Sequence, residues 1–244
     1  MSRHRPTGVR RPLLWFLDLD DTLHDASHAM FGAIDARMTD FVQHHLRLDR
    51  PAADALRRDY WRRYGATLVG LVRNHGVDAG RFLRETHDFD PIALLRAESG
   101  LAHWGRRLSG RKVLLTNAPD HYAGAVLRGL RLHRHIGTRY AVEHMRIHGQ
   151  LRPKPARSML RAVLAREGVH GRSPAVRPVL VDDNAANLKA AHAAGFATVL
   201  LDHPAPPGRR RLAGAAYLDA RVRSVKQLPA LAARLRGRAV PASR

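Results

Sequence analysis

The stretch from Leu13 to Thr22 constrains the fold of this chain more than any other. Five apolar residues run directly into three acids and a threonine, in the order Leu13-Leu14-Trp15-Phe16-Leu17-Asp18-Leu19-Asp20-Asp21-Thr22. A continuous apolar run of this length predicts a strand buried on both faces. In an open parallel sheet, ligands bind at the carboxyl ends of the strands. Because adjacent carboxylates repel each other unless a cation neutralises them, the stretch suggests a hard divalent metal with oxygen ligands.

Length and composition limit the class of protein. The chain has 244 residues, of which 45% are apolar, so it can form one large domain or a core with a smaller accessory domain. It contains no cysteine, which excludes disulfides, zinc-thiolate sites and thiol catalysis. We find no signal-peptide pattern after the basic start and no apolar stretch of membrane-spanning length. We therefore expect a cytoplasmic protein without a membrane segment.

The charge balance is strongly basic. Lysine and arginine number 42 against 21 acids, a net charge of +21, which could serve a nucleic-acid partner. The basic residues are dispersed, and lysine occurs only at Lys112, Lys154, Lys189 and Lys226. This pattern indicates a bias toward arginine and alanine, so we do not expect specific nucleic-acid binding. A basic, non-catalytic nucleic-acid-binding protein is kept as the alternative from a different class.

The order of predicted elements indicates an insertion in an alternating fold. Between about residues 26 and 108 the patterns are helical, over 30–42, 52–64, 68–72, 82–89 and 92–101. Strands then alternate with helices: strands at 112–116, 140–143, 178–182 and 197–201, helices at 120–130, 153–167 and 185–194, a loop at 204–211, and a tail strand and helix at 220–225 and 228–235. Such alternation predicts an α/β fold with a parallel sheet and helices on both faces.

Polar residues follow four of these predicted elements. They are Asp18 to Thr22, Thr116-Asn117, Lys154 ahead of a helix, and Asp182-Asp183-Asn184. In a parallel sheet the strand ends meet at one edge, so we expect these side chains to converge. Carboxylates bind Mg²⁺, a hydroxyl and the amides at a helix start hold phosphate, and a lysine balances charge. The combination favours metal-assisted chemistry on a phosphate.

With these four motifs in order, the chain resembles the haloacid dehalogenase superfamily over residues 13–201. It is most similar to the pyrimidine 5'-nucleotidase branch, on the further stretch Tyr64-Gly65-Ala66-Thr67-Leu68-Val69-Gly70-Leu71. The resemblance implies a Rossmann-like parallel sheet with an all-helical cap inserted after the first strand. We expect a core over 13–24 and 106–240, a cap over 25–105, and a basic arm over 1–12.

The resemblance also implies catalytic roles. Asp18 would attack phosphorus and form a phosphoaspartate. Asp20 would protonate the leaving oxygen and then activate water, while its backbone carbonyl contacts Mg²⁺. Thr116 and the amide of Asn117 would bind phosphoryl oxygens, and Lys154 would steady Asp18 and the phosphate.

The same resemblance implies a magnesium site and a substrate pocket. The metal set is Asp18, Asp20, Asp182 and Asp183, in which Asp183 is the preferred direct ligand and Asp182 binds either directly or through another group. The cap residues expected near the substrate are Tyr64, Gly65, Thr67 and Arg73, and His24 is expected to line the pocket.

The predicted activity is a Mg²⁺-dependent phosphomonoesterase that releases phosphate from UMP- or CMP-type nucleotides. The same-core alternative is a broad sugar-phosphate or metabolite phosphatase, and a mutase also stays open. A phosphonatase would need a cap lysine, and no lysine lies between Leu23 and Arg111. A dehalogenase would not require a carboxyl at Asp20. The expected partner is therefore a phosphorylated small molecule, and the sequence assigns no oligomeric state.

Overall fold

The computed structural model describes residues 11–171, 175–202 and 215–236. The strands in these ranges are β1 (Leu13–Leu17), β2 (Arg111–Leu115), β3 (Thr138–Tyr140), β4 (Arg146–Ile147), β5 (Gln150–Leu151), β6 (Arg177–Asp182), β7 (Ala197–Leu201) and β8 (Ala220–Val222). In the described part of the chain, six of them form a sheet in the order β3-β2-β1-β6-β7-β8, with every neighbouring pair parallel. Strands β4 and β5 form an antiparallel hairpin.

The described helices are α1 (Met30–Leu46), α2 (Arg50–Tyr64), α3 (Thr67–His75), α4 (Ala79–Thr86), α5 (Leu101–Arg107), α6 (Asp120–Gly129), α7 (Arg157–Arg166), α8 (Ala185–Ala194) and α9 (Leu228–Arg236). The predicted α/β class with a parallel sheet is confirmed, and a helical segment lies between β1 and β2. None of these helices is long and apolar enough to cross a membrane. Most of the predicted basic arm, over residues 1–10, and the predicted loop at 204–211 lie outside the described residues.

Helices cover both faces of the sheet because β1 is apolar on both sides. Leu13, Trp15 and Leu17 pack into one cluster with residues of α5, α6 and α9. Leu14 and Phe16 pack into a second cluster with residues of α7 and α8. All five β1 residues are buried, as the continuous apolar run predicts for a central parallel strand.

The inserted helices have an apolar cluster of their own. Phe41, Tyr60, Leu71 and Phe82, from α1 to α4 in turn, lie in this cluster. Val142, from the segment after β3, belongs to the same cluster, and Leu151 of β5 packs against it. The inserted helices therefore rest against the β4–β5 hairpin. The proposed domain boundaries stay a prediction, and α5 packs with the sheet through Leu101 and Trp104.

The helix predicted over 92–101 is wrong. The segment instead makes short turns, in which the amide of Leu94 donates to the carbonyl of Pro91 and that of Leu95 to the carbonyl of Ile92. Further on, the carbonyl of Arg96 accepts a hydrogen bond from the amide of Asp25, at 2.7 Å. The segment at the end of the insertion is thus hydrogen-bonded to the segment at its start. Helix α5 begins only after Gly100, which has a left-handed φ of 75°.

Two other predicted bounds shift because the backbone makes long-range bonds. The third strand ends at Tyr140, since the amide of Val142 turns to donate to the carbonyl of Ala118 at 3.1 Å. The helix predicted from residue 153 begins at Arg157. Both backbone groups of Lys154 are occupied by the side chain of Asn117, which keeps this stretch out of the helix.

Candidate active site

Carboxylates from two neighbouring strands meet at one edge of the sheet. Asp18 follows β1 and donates its amide to the carbonyl of Val181 in β6 at 3.0 Å, so the strands are still paired where the acids begin. Asp182 ends β6, and Asp183 follows it. Asp18, Asp182 and Asp183 each offer one oxygen, and these oxygens lie within 4.8 Å of one another. The predicted convergence of strand ends is thus observed for the acids.

Lys154 connects two of these acids. Its Nζ atom lies 2.8 Å from Oδ1 of Asp18 and 2.8 Å from Oδ2 of Asp182, and the residue is 1% exposed. Burial alone would lower the pKa of Lys154, but the two carboxylates outweigh it and hold that pKa above its ordinary value. The side chain is therefore an ammonium ion.

Asn117 holds the backbone of this lysine in place. Its Oδ1 accepts from the amide of Lys154 at 2.9 Å, and its Nδ2 donates to the carbonyl of Lys154 at 3.0 Å. The side chain of Asn117, which follows β2, thus joins the second and third motifs. Thr116 is buried, and its Oγ1 accepts from the amide of Ala118 at 3.1 Å. This bond leaves the hydroxyl proton of Thr116 available for an anion.

The two acids at the end of β6 have different surroundings. Asp182 accepts from Lys154, from the amide of Asn184 at 2.8 Å and from Nδ2 of Asn187 at 3.0 and 3.1 Å. Asp183 is half-buried, and burial together with the Asp182 charge raises its pKa to about 7. Because both oxygens of Asp182 are already engaged, the arrangement favours Asp183 as a direct metal ligand.

The donor set fits a magnesium ion. The three carboxylates and one ammonium group carry a formal charge of −2 when all are ionised, and one divalent cation neutralises that charge. Burial also raises the pKa of Asp18, against the influence of Lys154. A bound cation would favour the ionised form. Oxygen ligands of this kind are those that Mg²⁺ prefers in proteins.

Replacing Asp183 with asparagine is expected to stabilise the metal-free protein by about 1–3 kcal/mol at pH 8. Its pKa of about 7 lies above the ordinary value of 3.8, so the native state binds this proton more readily than the unfolded chain does. The wild-type penalty therefore develops as pH rises from about 3.8 to about 7 and is complete above that. Urea unfolding with chelator at pH 5 and pH 8 measures the difference.

The same Asp183→Asn variant is expected to lose most of the rise in melting temperature that Mg²⁺ produces in the wild type. Asp40→Asn is the control, because Asp40 lies on α1 with its side chain 60% exposed and paired with Arg50. Equal responses to Mg²⁺ in the wild type and Asp183→Asn would contradict the assignment.

Asp20 lies beside this cluster and has two partners of its own. Its Oδ1 lies 2.8 Å from the hydroxyl of Tyr122 and 2.8 Å from Nε2 of His24. His24 is buried, and its ring contacts Asp20. No local sequence pattern indicates Tyr122, which lies 102 residues from Asp20 along the chain. Asp21 has a loop role, since its Oδ1 accepts from the amide of Ser27 at 2.8 Å.

The four cap residues expected near the substrate have different surroundings in the structure. Gly65 lies beside the third motif, since a Cβ at this position would be 3.7 Å from Cδ of Pro155. Thr67 is buried, and its hydroxyl donates to the carbonyl of Arg57 in α2. The Arg73 guanidinium lies 5.8 Å from the ring of Tyr64. Of these candidates, Gly65 is the one placed beside a core motif, and roles for Tyr64, Gly65, Thr67 and Arg73 in substrate binding stay predictions.

No family model matches the chain. Its fold is similar to that of a HAD phosphatase from Thermococcus onnurineus, at 16% identity over 91% of this chain and 97% of that chain, with a TM-score of 0.57. The HAD-hydrolase YfnB from Bacillus subtilis, solved with bound magnesium, matches at 15% identity over 91% and 99%, with a TM-score of 0.56. The defluorinating L-2-haloacid dehalogenase Rha0230 matches at 18% identity over 95% and 98%, with a TM-score of 0.55. The chain therefore has the fold of haloacid dehalogenase superfamily hydrolases.

Proposed function

We propose that this chain is a Mg²⁺-dependent phosphomonoesterase that forms a phosphoaspartate at Asp18. The observation that carries the proposal is the buried Lys154 ammonium, 2.8 Å from both Asp18 and Asp182, with an oxygen of Asp183 in the same cluster. A site with this much negative charge suits an electrophile that arrives with a cation. The fold shared with a HAD phosphatase supports the same reaction class.

Asp18 is the proposed nucleophile. Its Oδ1 accepts from the amide of Leu19 at 2.8 Å and from Lys154, so this oxygen is fixed. The other oxygen, Oδ2, is the proposed attacking atom, which forms a new P–O bond as the ester P–O bond breaks. Asp18 and Asp183 would hold Mg²⁺ with the carbonyl of Asp20, and the ion would offset the charge of phosphate and carboxylates.

Asp20 completes the proton balance. In the first half-reaction its protonated carboxyl gives a proton to the leaving oxygen, which departs as an alcohol. In the second, the Asp20 carboxylate takes a proton from water, whose oxygen attacks the phosphorus of the phosphoaspartate. Inorganic phosphate leaves, and both Asp18 and the protonated Asp20 are restored. Such proton transfer contributes about 10²–10⁴-fold to the rate.

Thr116, the backbone amide of Asn117 and Lys154 are the proposed phosphate ligands. The Thr116 hydroxyl keeps its proton, because its oxygen accepts from Ala118. Lys154 is held both by its ammonium contacts and by the Asn117 amide pair, so it requires little reorganisation during the reaction.

The proposed substrate is a pyrimidine nucleoside 5'-monophosphate. Support comes from the Tyr64 to Leu71 stretch, whose Gly65 lies beside Pro155. Phosphate release from UMP, CMP, purine nucleotides and sugar phosphates, with Mg²⁺ or with chelator, tests the proposal. We expect kcat/KM for UMP or CMP to exceed that of the other esters by at least about tenfold. Equal rates across the panel would leave a broad phosphatase, and no Mg²⁺-dependent release from any ester would overturn the activity itself.

A further inference from the structure

Two side chains that take no part in the proposed reaction contact the carboxyl group of the proposed acid, Asp20. Tyr122, in the first turn of α6, places its hydroxyl 2.8 Å from Oδ1 of Asp20. Nε2 of His24 lies at the same distance from the same oxygen. No described residue donates a hydrogen bond to Oδ2 of Asp20. Both partners therefore act on one oxygen and leave the other open.

Both groups are suited to be donors. The Tyr122 hydroxyl carries a proton and is placed to donate it in a hydrogen bond to Oδ1 of Asp20. Nδ1 of His24 is buried without a hydrogen-bond partner among the described residues. A proton on Nδ1 would lack an acceptor, so the geometry favours a proton on Nε2, which donates a hydrogen bond to Oδ1 of Asp20.

Tyr122 is itself fixed by residues of the inserted helical segment. Its hydroxyl also contacts Sδ of Met30, the first residue of α1. Its ring lies 5.3 Å from the ring of His87 and 6.1 Å from that of Phe89, which follow α4. Burial lowers the pKa of His87 to about 4, so this neighbour is a neutral packing group. The tyrosine is 1% exposed and has little freedom to turn away from Asp20.

We propose that Tyr122 and His24 are positioning residues that hold Oδ1 of Asp20 and thereby present Oδ2 as the oxygen that carries the proton. The inference rests on the proposed phosphomonoesterase activity. It assigns His24 to Asp20 and not to the substrate. It also gives the buried Tyr122 a role beyond filling the core. A carboxyl group held in one rotamer can protonate the leaving oxygen without first changing its conformation. This orientation lowers the entropic part of the activation barrier.

The test compares Tyr122→Phe with Tyr140→Phe. Each variant removes one hydroxyl that donates to a carboxylate, since Tyr140 donates to Oε1 of Glu167 at 2.7 Å, outside the candidate site. For the alkyl phosphomonoester that the panel ranks first, Tyr122→Phe is expected to lower kcat about 10- to 100-fold with KM within twofold. Tyr140→Phe is expected to leave both constants unchanged. An equal loss in the two variants would overturn the inference.

A double-variant cycle separates positioning from general loosening of the fold. In the Asp20→Asn background, Tyr122→Phe is expected to cause no further loss of kcat, because its target is already disabled. His24→Leu provides a second variant with the same expectation. If the kcat losses of the single variants multiply in the double variant, Tyr122 acts independently of Asp20. That result would overturn this inference and leave the proposed function intact. A wild-type protein inactive on every ester would overturn both this inference and the proposed function.

Discussion

Replacing Lys154 with methionine is expected to lower the free energy of unfolding by about 3–5 kcal/mol in metal-free buffer. The ammonium is the partner of two acids that are themselves buried, Asp18 and Asp182, and methionine retains the volume without the charge. Two buried carboxylates would then repel each other without compensation. The same change is expected to reduce kcat about 10²–10³-fold, as the loss of one preorganised donor does in other enzymes. Urea unfolding and phosphate release measure the two effects.

The control for this variant is Lys226→Met. Lys226 pairs with Glu98 at 3.4 Å, and its side chain is 40% exposed, so we expect a change of at most about 1 kcal/mol. Adding Asp182→Asn to Lys154→Met should recover part of the lost stability, because one of the two uncompensated charges is removed. A Lys154→Met protein as stable as Lys226→Met would contradict the view that this buried ion pair holds the site together.

Asp18→Asn and Asp20→Asn are expected to fail at different steps. With p-nitrophenyl phosphate the leaving group departs without a proton, so Asp20→Asn should still form the phosphoaspartate. Hydrolysis of that intermediate still needs the base, so steady-state turnover should fall about 10²–10⁴-fold. Rapid mixing should then show a burst of nitrophenol close to one per protein. Asp18→Asn has no nucleophile and should show neither burst nor turnover.

Asp25→Asn is the matched control for these two variants. Asp25 is an acid whose side chain is 45% exposed and whose Oδ1 accepts from the amide of His28, and asparagine retains that capping bond while removing the charge. We expect wild-type turnover from it. A burst in Asp18→Asn equal to that of Asp20→Asn would exclude Asp18 as the residue that receives the phosphoryl group.

The parts of the fold that the sequence predicts are those with local causes. Helix α8 has the predicted bounds because Asn184 caps its start and Gly195, with a φ of 102°, ends it. Strands β1 and β7 are apolar runs that could be buried only in the middle of a sheet. The order of acids, threonine and lysine along the chain was also sufficient to place them at one sheet edge.

The features that the sequence does not predict depend on contacts between distant segments. Asn117 pairs with the backbone of Lys154, and Tyr122 meets Asp20, yet no local pattern joins either pair. The segment after Pro91 has helical apolar spacing, but its carbonyl at Arg96 bonds to Asp25. In each case a bond made across the fold outweighs a weak local preference. Such bonds are invisible to periodicity.

The packing of Val142 into the cluster of the inserted helices has a consequence for the access of ligands. Any movement that lifts these helices from Val142 and the adjoining β4–β5 hairpin returns Val142, now 3% exposed, to water. Burial of a valine side chain is worth about 1.5–3 kcal/mol, so this contact alone would limit the lifted arrangement to about one molecule in 13 to one in 160. A ligand that binds only that arrangement has its apparent affinity reduced by the same factor. An apolar contact outside the carboxylate cluster would in this way set the concentration range over which the site fills.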